Sequence, residues 1–380
     1  MYDVVVVGGG PIGSYTACQL ADQGFEVGLF EEDDEVGKDV ICTGVIGTEA
    51  FERFNLPRTA IVSHIKSIIF FSPSLLTFDY TSSDTLAYVV DRSIFDSKIL
   101  EYAREKGVEV HLGRQVRGVK IEDNFNRLEI YGKDSLVEKL RAKVVVLATG
   151  IKYQLHKNLG LRPPPTFLQG VQVETEVKDL SCTEIYVGSE VSPGSFAWVV
   201  PLNHQRARIG LLTGKRGGFY LNNFLKDRFK ERINEPNPTI LQKSIAYGPV
   251  RRSVSDRVLA VGEAAGQVKT TTGGGIFYGL ICSEIATQVL KRAFHKGDLS
   301  YRQLSEYERL WKAKLGKELR MGKLARQILG RLTDKQIDMI FKFVGERPKV
   351  KELMERKVKF DYHGDLISFG LRLIKGFIRG

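Results

Sequence analysis

Two hydrophobic periods alternate along this chain. Residues 3–7, Asp-Val-Val-Val-Val, form a short run rich in β-branched side chains, the pattern of a strand buried on both faces. A glycine cluster follows, then helical spacing from Ser14 to Gln23, which Gly24 ends. Residues 26–31, Glu-Val-Gly-Leu-Phe-Glu, predict a second strand, so a βαβ unit occupies the first 31 residues. Residues 40–85 hold no sustained period and read as irregular or strand-like. Over 93–106 the spacing predicts a helix with Ile94, Phe95, Ile99, Leu100 and Ala103 on one side. Strands are expected at 108–112, 115–122 and 127–131, and Val144–Ala148 repeats the buried-strand pattern. Pro163–Pro165 breaks the chain, and 168–213 alternates as an antiparallel sheet does. Residues 257–262 return to strand and 275–294 to helix, and from 300 the chain is helical and basic.

Composition narrows the class. A chain of 380 residues allows two or three domain-sized units, and 43% hydrophobic with 27% charged residues is ordinary for a folded protein. No apolar run reaches the ~18 residues of a spanning helix. The start, MYDVVVVGGGPIG, lacks the basic region of a secretory signal. Cys18, Cys42, Cys182 and Cys282 form no C-x-x-C pair, which argues against a zinc knuckle or a ferredoxin-type cluster and for a reducing cytoplasm. Net charge is +11, and residues 301–380, with 20 Lys/Arg and 10 Asp/Glu, carry +10 of it. A basic partner surface is therefore carboxy-terminal, and nucleic acid, an anionic membrane or a phosphate-bearing substrate would each suit it.

The glycine cluster carries the first chemical signal. Gly8, Gly10 and Gly13 stand as G-x-G-x-x-G between strand and helix. The first permits a tight turn, the second lets a pyrophosphate approach the backbone, and the third lets helix and strand pack closely. The helix start then offers free N–H groups and partial positive charge to phosphate. Glu31 ends the second strand, where a carboxylate accepts hydrogen bonds from both ribose hydroxyls and repels a 2′-phosphate. This favours FAD or NAD over NADP. Two further segments select FAD. Val145–Gly150 is a strand ending in Ala-Thr-Gly, where small residues admit a cofactor. In Leu259–Ile276 a carboxylate, Glu263, leaves a strand near a ribityl position, and Gly273–Gly275 opens a helix whose dipole favours negative charge on a planar ring.

These residues resemble the geranylgeranyl reductase family of FAD enzymes, within the p-hydroxybenzoate-hydroxylase-like group. The resemblance runs along nearly the whole chain: Gly8–Ser14, Glu31, the Cys-x-Gly of 42–44, Val90–Asp96, Pro193–Pro201, residues 262–280 and Tyr307–Trp311. It implies that Gly13, Glu31, Cys42, Gly44, Arg92, Val116, Glu263, Gly275 and Ile276 line FAD. It also implies that Phe196, Trp198, Pro201 and Gly210 line an isoprenoid cavity. The chain departs from the family pattern at Glu263, where Asp is usual, at Thr270, where proline is common, and at Leu212, where a second glycine is usual.

No Ser-His-Asp order or H-E-x-x-H pair appears, so hydrolysis and metal catalysis lack support and no metal is expected. The flavin would carry the reaction: reduction of an isolated C=C by a hydride and a proton. Phe196 and Trp198 alternate with Ala197 and face one side of a strand, which suits a cavity wall. Cys42 is placed near the flavin as a candidate catalytic group, and Cys42 with Cys282 as a candidate disulfide pair. Arg92 serves FAD or pairs with Asp96 at the surface. Arg251 and Arg252 meet a lipid phosphate or lie solvated. Residues 366–379 place Ser368, Arg372, Lys375 and Arg379 opposite an apolar face, the pattern of an interfacial helix on an anionic membrane or of one packing on the protein's own core.

The expected fold class is α/β (α+β): a Rossmann-like FAD domain of the p-hydroxybenzoate-hydroxylase type, an antiparallel-sheet substrate domain and a helical carboxy-terminal region. The FAD domain is discontinuous over 1–60, 85–155 and 245–300, the substrate domain takes 61–84 and 156–244, and 301–380 form the basic helical region. The expected function is FAD-dependent saturation of geranylgeranyl chains on a diphosphate or glycerophospholipid. NAD(P)H or reduced ferredoxin would donate electrons, and no nucleic acid partner is expected. The rival readings are a flavin monooxygenase and a non-catalytic membrane- or nucleic-acid-binding protein. The expected location is the cytoplasm, at the inner membrane face.

Overall fold

A computed structural model describes residues 1–133, 135–235, 238–355 and 359–379, with side chains left out at 136–137, 351, 354–355 and beyond Arg372. Three sheets organise it. The eight-stranded sheet is centred on Tyr2–Val7, which pairs in parallel with Val27–Phe30 on one side and with Ser135–Leu147 on the other. Glu109–His111 and Val258–Ala260 extend it in parallel, and Val254–Ser255 closes one edge antiparallel. Val4, Val5 and Val6 are fully buried, as a β-branched run between two layers should be.

The first helix is Pro11–Asp22, three residues earlier than the spacing predicts. Pro11 explains the shift: it has no N–H to lose in the first turn, and its ring presets the helical φ. Arg92–Glu105 is capped by Asp91, whose carboxylate accepts from the N–H groups of Ser93 and Ile94. Its buried face holds Phe95, Ile99, Leu100 and Ala103, whereas Ile94 is 43% exposed and does not join them.

The seven-stranded sheet runs in the order 241–246, 167–176, 206–213, 197–201, 183–186, 67–71 and 77–81. It is antiparallel apart from the parallel contact between Thr183–Tyr186 and Ser67–Phe71. A three-stranded sheet of Val45–Gly47, Ala87–Val90 and Ile61–Ile65 lies in the same stretch as a helix, Thr48–Phe54, that the sequence reading left as irregular or strand-like. That helix is too short to show a period. The helix Gly217–Phe229 escaped for another reason: its first turn begins Gly-Gly, the weakest of helix formers after proline.

Among the described residues four helices follow residue 300: Tyr301–Leu329, Asp334–Gly345, Pro348–Glu355 and Gly364–Arg379. The first is part of the main core. Leu304, Tyr307, Trp311, Leu315 and Leu319 form its buried stripe. Trp311 donates from Nε1 to Ser253 Oγ at 3.0 Å, and Tyr307 donates to the carbonyl of Ala260 at 2.9 Å. Among the described residues no helix is long and apolar enough to cross a membrane.

Candidate active site

One cavity of about 1320 Å³ reaches from the amino-terminal glycines, between the sheets, to the carboxy-terminal helices. Its first end is shaped by backbone. Gly8 has φ +107°, and a Cβ there would stand 2.5 Å from the carbonyl oxygen of Ala148. A Cβ at Gly13 would stand 1.9 Å from the carbonyl oxygen of Gly8, so this glycine serves helix–strand packing and does not itself face the cavity. Gly10 lines the cavity with nothing within 4 Å of where its Cβ would be, at a helix start with no side-chain cap. Bare backbone and free N–H groups there fit a pyrophosphate. Glu31 also lines this end, its carboxylate accepting from the N–H groups of Gly9 and Asp33.

The middle of the cavity joins three segments. Arg92 grips Asp96 through two hydrogen bonds of 2.8 and 2.7 Å, with side chains 12% and 1% exposed. The pair is thus a buried part of the cavity wall, not a surface pair. It sits beside Cys42, whose Sγ accepts from the N–H of Gly44 at 3.3 Å. Burial pushes the Cys42 thiol up, but the Arg92 charge and the Gly44 N–H outweigh it and hold the thiol below its ordinary range. Gln172 and Arg208 of the seven-stranded sheet fasten this loop, by bonds to the carbonyls of Cys42 and Thr43 at 3.3 and 2.9 Å. Gly44 and Val116 line the cavity here too.

Glu263 enters from the opposite side. It accepts from the N–H of Ala246 at 3.1 Å and faces the Lys243 ammonium at 3.4 Å. The loop after it is tied by two backbone bonds of 2.9 Å, from Lys269 N to Gly274 O and from Gly273 N to Lys269 O. Gly275 and Ile276 then begin the helix Ile276–Lys296 on the cavity wall.

The far end is apolar. Phe196 and Trp198 both line it, their rings tilted at 5.8 Å between centroids. Pro201 and Gly210 do not line it, contrary to expectation. A Cβ at Gly210 would stand 2.5 Å from the Trp198 ring, so that glycine is the seat against which the indole lies. Leu212 lines the cavity at the position where a glycine is usual, and narrows it. Ile68, Phe70 and Phe78 continue the wall, and Phe341, Leu366 and Ile367 close it from the carboxy-terminal helices. Leu366 and Ile367 of the amphipathic helix thus turn inward; its residues beyond Arg372 lie outside the described side chains.

Other expectations are corrected. Cys282 is fully buried in the main core, lines no part of the cavity and is a free thiol, as is Cys42. The helix carrying Cys282 turns it into the core and pushes its thiol well up by burial, so these two cysteines form no disulfide here. Arg251 and Arg252 are exposed and away from the cavity, and the Arg252 guanidinium lies 4.7 Å from the Tyr301 ring centroid. Thr270 donates to the carbonyl of Leu319 at 2.8 Å, a bond that proline cannot make.

Sequence reading missed one group entirely. Lys269, 8% exposed, is ion-paired with Asp361, 2% exposed. Two residues on, the hydroxyl of Thr271 and Nδ1 of His363 lie 2.7 Å apart, while His363 Nε2 meets the carbonyl of Phe360 at 2.9 Å. The carbonyl makes Nε2 the protonated nitrogen, so Nδ1 accepts from Thr271. Burial and the Lys269 charge push the His363 pKa down to about 4. The only sequence signal was a lone lysine among the small residues of 264–275.

Comparison with known proteins agrees with this geometry. The FAD dependent oxidoreductase family model matches residues 3–151. The digeranylgeranylglycerophospholipid reductase of Methanocaldococcus jannaschii is 32% identical over 362 residues, covering 91% of each chain. That of Methanosarcina acetivorans is 29% identical over 368 residues, 90% of this chain and 88% of its own. Among solved structures, a geranylgeranyl bacteriochlorophyll reductase-like protein of Thermoplasma acidophilum superposes with TM-score 0.85 over 97% of this chain and 99% of its own, at 23% identity. The p-nitrophenol 4-monooxygenase of Pseudomonas putida does so with TM-score 0.75 over 97% and 98%, at 19% identity, and shares the fold. A glycine-lined end, an apolar far end and relatives matched over nine-tenths of the chain place this protein in the digeranylgeranylglycerophospholipid reductase family of FAD-dependent oxidoreductases.

Proposed function

We propose that the protein saturates isoprenoid C=C bonds of geranylgeranyl chains carried on a diphosphate or a glycerophospholipid. The observation that carries this reading is the cavity's polarity: one continuous space joins the Gly8–Gly10 and Glu31 end to a wall of Phe70, Phe78, Phe196, Trp198 and Phe341. A long hydrocarbon gains about 25 cal/mol for each Å² it buries against such a wall. FAD is the cofactor, and it supplies the hydride when bound.

The chain's own residues bind, orient and shield. Gly10 and the helix start at Pro11 hold the pyrophosphate, and Glu31 holds the ribose hydroxyls. Arg92, fixed by Asp96, and Cys42 and Gly44 flank the middle of the cofactor with Val116 and Glu263. Gly275 and Ile276 bring the helix start to the ring. Phe196 and Trp198 press the substrate chain toward that position, and the apolar wall excludes water. Electrons come from NAD(P)H or a reduced ferredoxin. The carboxy-terminal segment Gly364–Arg379 rests on an anionic membrane while Leu366 and Ile367 face the cavity, so a lipid enters from the inner face of the membrane.

The deciding experiment reduces the purified flavoprotein with dithionite in the absence of oxygen and adds geranylgeranyl lipids. Flavin reoxidation with product mass rising by two hydrogens per step is expected. Flavin that stays reduced until air enters, with oxygen appearing in a product, would overturn the reading in favour of a monooxygenase. Flotation with anionic vesicles tests the membrane contact separately: the full chain should float, and a chain ending at Tyr362 should not.

A further inference from the structure

The Lys269–Asp361 pair is a buried charge pair that substrate enclosure alone does not explain. Lys269 belongs to the loop whose glycines open the helix at Ile276, and Asp361 belongs to the carboxy-terminal segment that walls the cavity. Both side chains line the cavity. A Cβ on Gly274 would stand 3.9 Å from Lys269 Cδ and 4.0 Å from its Nζ, so the ammonium lies beside the bare glycine backbone. The aromatic rings of Phe360 and Tyr278 lie at 5.5 and 6.0 Å from it. Among the described residues it is the buried one of the cavity's lysines: Lys243 and Lys152 are 34% and 55% exposed, and Lys38 and Lys359 are exposed.

Asp361 is placed with equal care. One oxygen receives the Lys269 ammonium; the other, Oδ2, is buried without a hydrogen-bond partner against Gly47, where a Cβ would stand 2.1 Å away. A buried carboxylate oxygen left without a hydrogen-bond partner is costly in a low-dielectric site. In the same segment His363 is neutral and uses both ring nitrogens for the carbonyl of Phe360 and the hydroxyl of Thr271. Arg326 spends one guanidinium N–H on the Thr271 carbonyl at 3.1 Å. The loop thus carries a buried ammonium of its own, and the carboxy-terminal segment brings a buried carboxylate to it.

We propose that Lys269 and Asp361 set the balance between the reduced and oxidised forms of the bound flavin. The proposal rests on the reading that FAD's ring lies at the Gly273–Gly275 loop. A reduced flavin ring carries negative charge. Lys269 favours that form, making the cofactor easier to reduce. Asp361 opposes it, making the reduced cofactor a stronger hydride donor. Because Asp361 arrives on the segment that also contributes Leu366 and Ile367 to the far wall, the part that encloses the hydrocarbon also strengthens the reductant. Lys269 and Asp361 are positioning charges in this account.

The test uses the full chain as wild type, Lys269→Met, Asp361→Asn and the double variant, loaded with FAD. Affinities for oxidised and reduced FAD are measured, and the midpoint potential is titrated without oxygen. Lys269→Met should lower the reduced-to-oxidised affinity ratio by tenfold or more, about 30 mV for a two-electron couple. Asp361→Asn should raise it by a similar factor, and the double variant should return to within threefold of wild type. Equal ratios in all four proteins, or both single variants moving in one direction, overturn the proposal. Breaking a buried pair destabilises a fold, so either single variant decides alone: an unchanged ratio, or a shift of the wrong sign, overturns it. No alkene is used. A protein that shows the charge dependence but saturates no isoprenoid refutes the proposed reaction and keeps the pair, and the converse result does the reverse.

Discussion

The two ends of the cavity are built by different means. The glycine end comes from contiguous sequence, Gly8 to Gly13 with Glu31 one strand later, and its shape is backbone shape. The apolar end is assembled from side chains on Ser67–Phe71, Ala197–Pro201, Arg206–Thr213 and three segments after residue 320. At the first end a wrong residue meets backbone that cannot move. At the second a neighbour can give. A single substitution should therefore abolish the first end and only adjust the second.

Gly13→Val is the sharpest way to break that contrast. Its Cβ would overlap the carbonyl of Gly8 at 1.9 Å, and helix and strand must part. We expect a colourless protein with no stoichiometric FAD and a loss of about 3 kcal/mol in denaturant unfolding. A yellow, wild-type-stable Gly13→Val would show that the two ends tolerate change equally.

Acid should act on the second end first. His363 is held neutral, with its pKa pushed down to about 4 by burial and by Lys269, against about 6.5 in an unfolded chain. Above pH 6.5 both states are unprotonated and the group contributes no pH dependence. As pH falls from 6.5 to 4 the unfolded chain binds a proton that the folded chain refuses, so stability drops, by on the order of 3 kcal/mol at the low end. Unfolding followed from pH 7 to pH 4 should show that slope in wild type, and His363→Gln should flatten it. An unaltered slope in the variant would assign the acid sensitivity elsewhere.

The same division explains what could be read without coordinates. Gly8, Gly10, Gly13 and Glu31 were legible because each answers a steric or charge requirement within one βαβ unit. Phe196 and Trp198 were legible because strand period two puts both on one face. The Lys269–Asp361 and Thr271–His363 contacts each span 92 residues and leave no local period. Gly210 was read as lining the cavity when its role is to make room for Trp198, which depends on a register between two strands, Trp198 opposite Gly210. The pairing of Cys42 with Cys282 failed similarly, since the orientation of Cys282 depends on how Ile276–Lys296 rotates against the core.

Trp198→Ala measures how far the apolar end yields. The indole is 8% exposed, rests on Gly210 and touches Phe196, so its loss opens space for a hydrocarbon without touching Gly8, Gly10 or Glu31. FAD should bind as in wild type, while KM for a geranylgeranyl lipid rises about tenfold, equal to about 1.4 kcal/mol of lost contact. Loss of FAD from this variant would mean that the two ends are one mechanical unit.

The smallest effect should come from the link between the ends. Thr270 joins the Lys269–Gly275 loop to the helix Tyr301–Leu329 by one buried hydrogen bond to Leu319, and a Cβ at Gly322 would stand 2.4 Å from the Thr270 hydroxyl oxygen. Thr270→Val keeps the shape and removes the donor. One net hydrogen bond is worth about 1 kcal/mol, and the Leu319 carbonyl belongs to a helix whose backbone bonds already use it, so little desolvation penalty follows. We expect a stability loss near that figure, unchanged FAD affinity and unchanged KM. A variant that instead lost affinity for FAD would show that the carboxy-terminal helix positions the glycine loop through this one hydroxyl, and that the backbone-built end depends on a side chain after all.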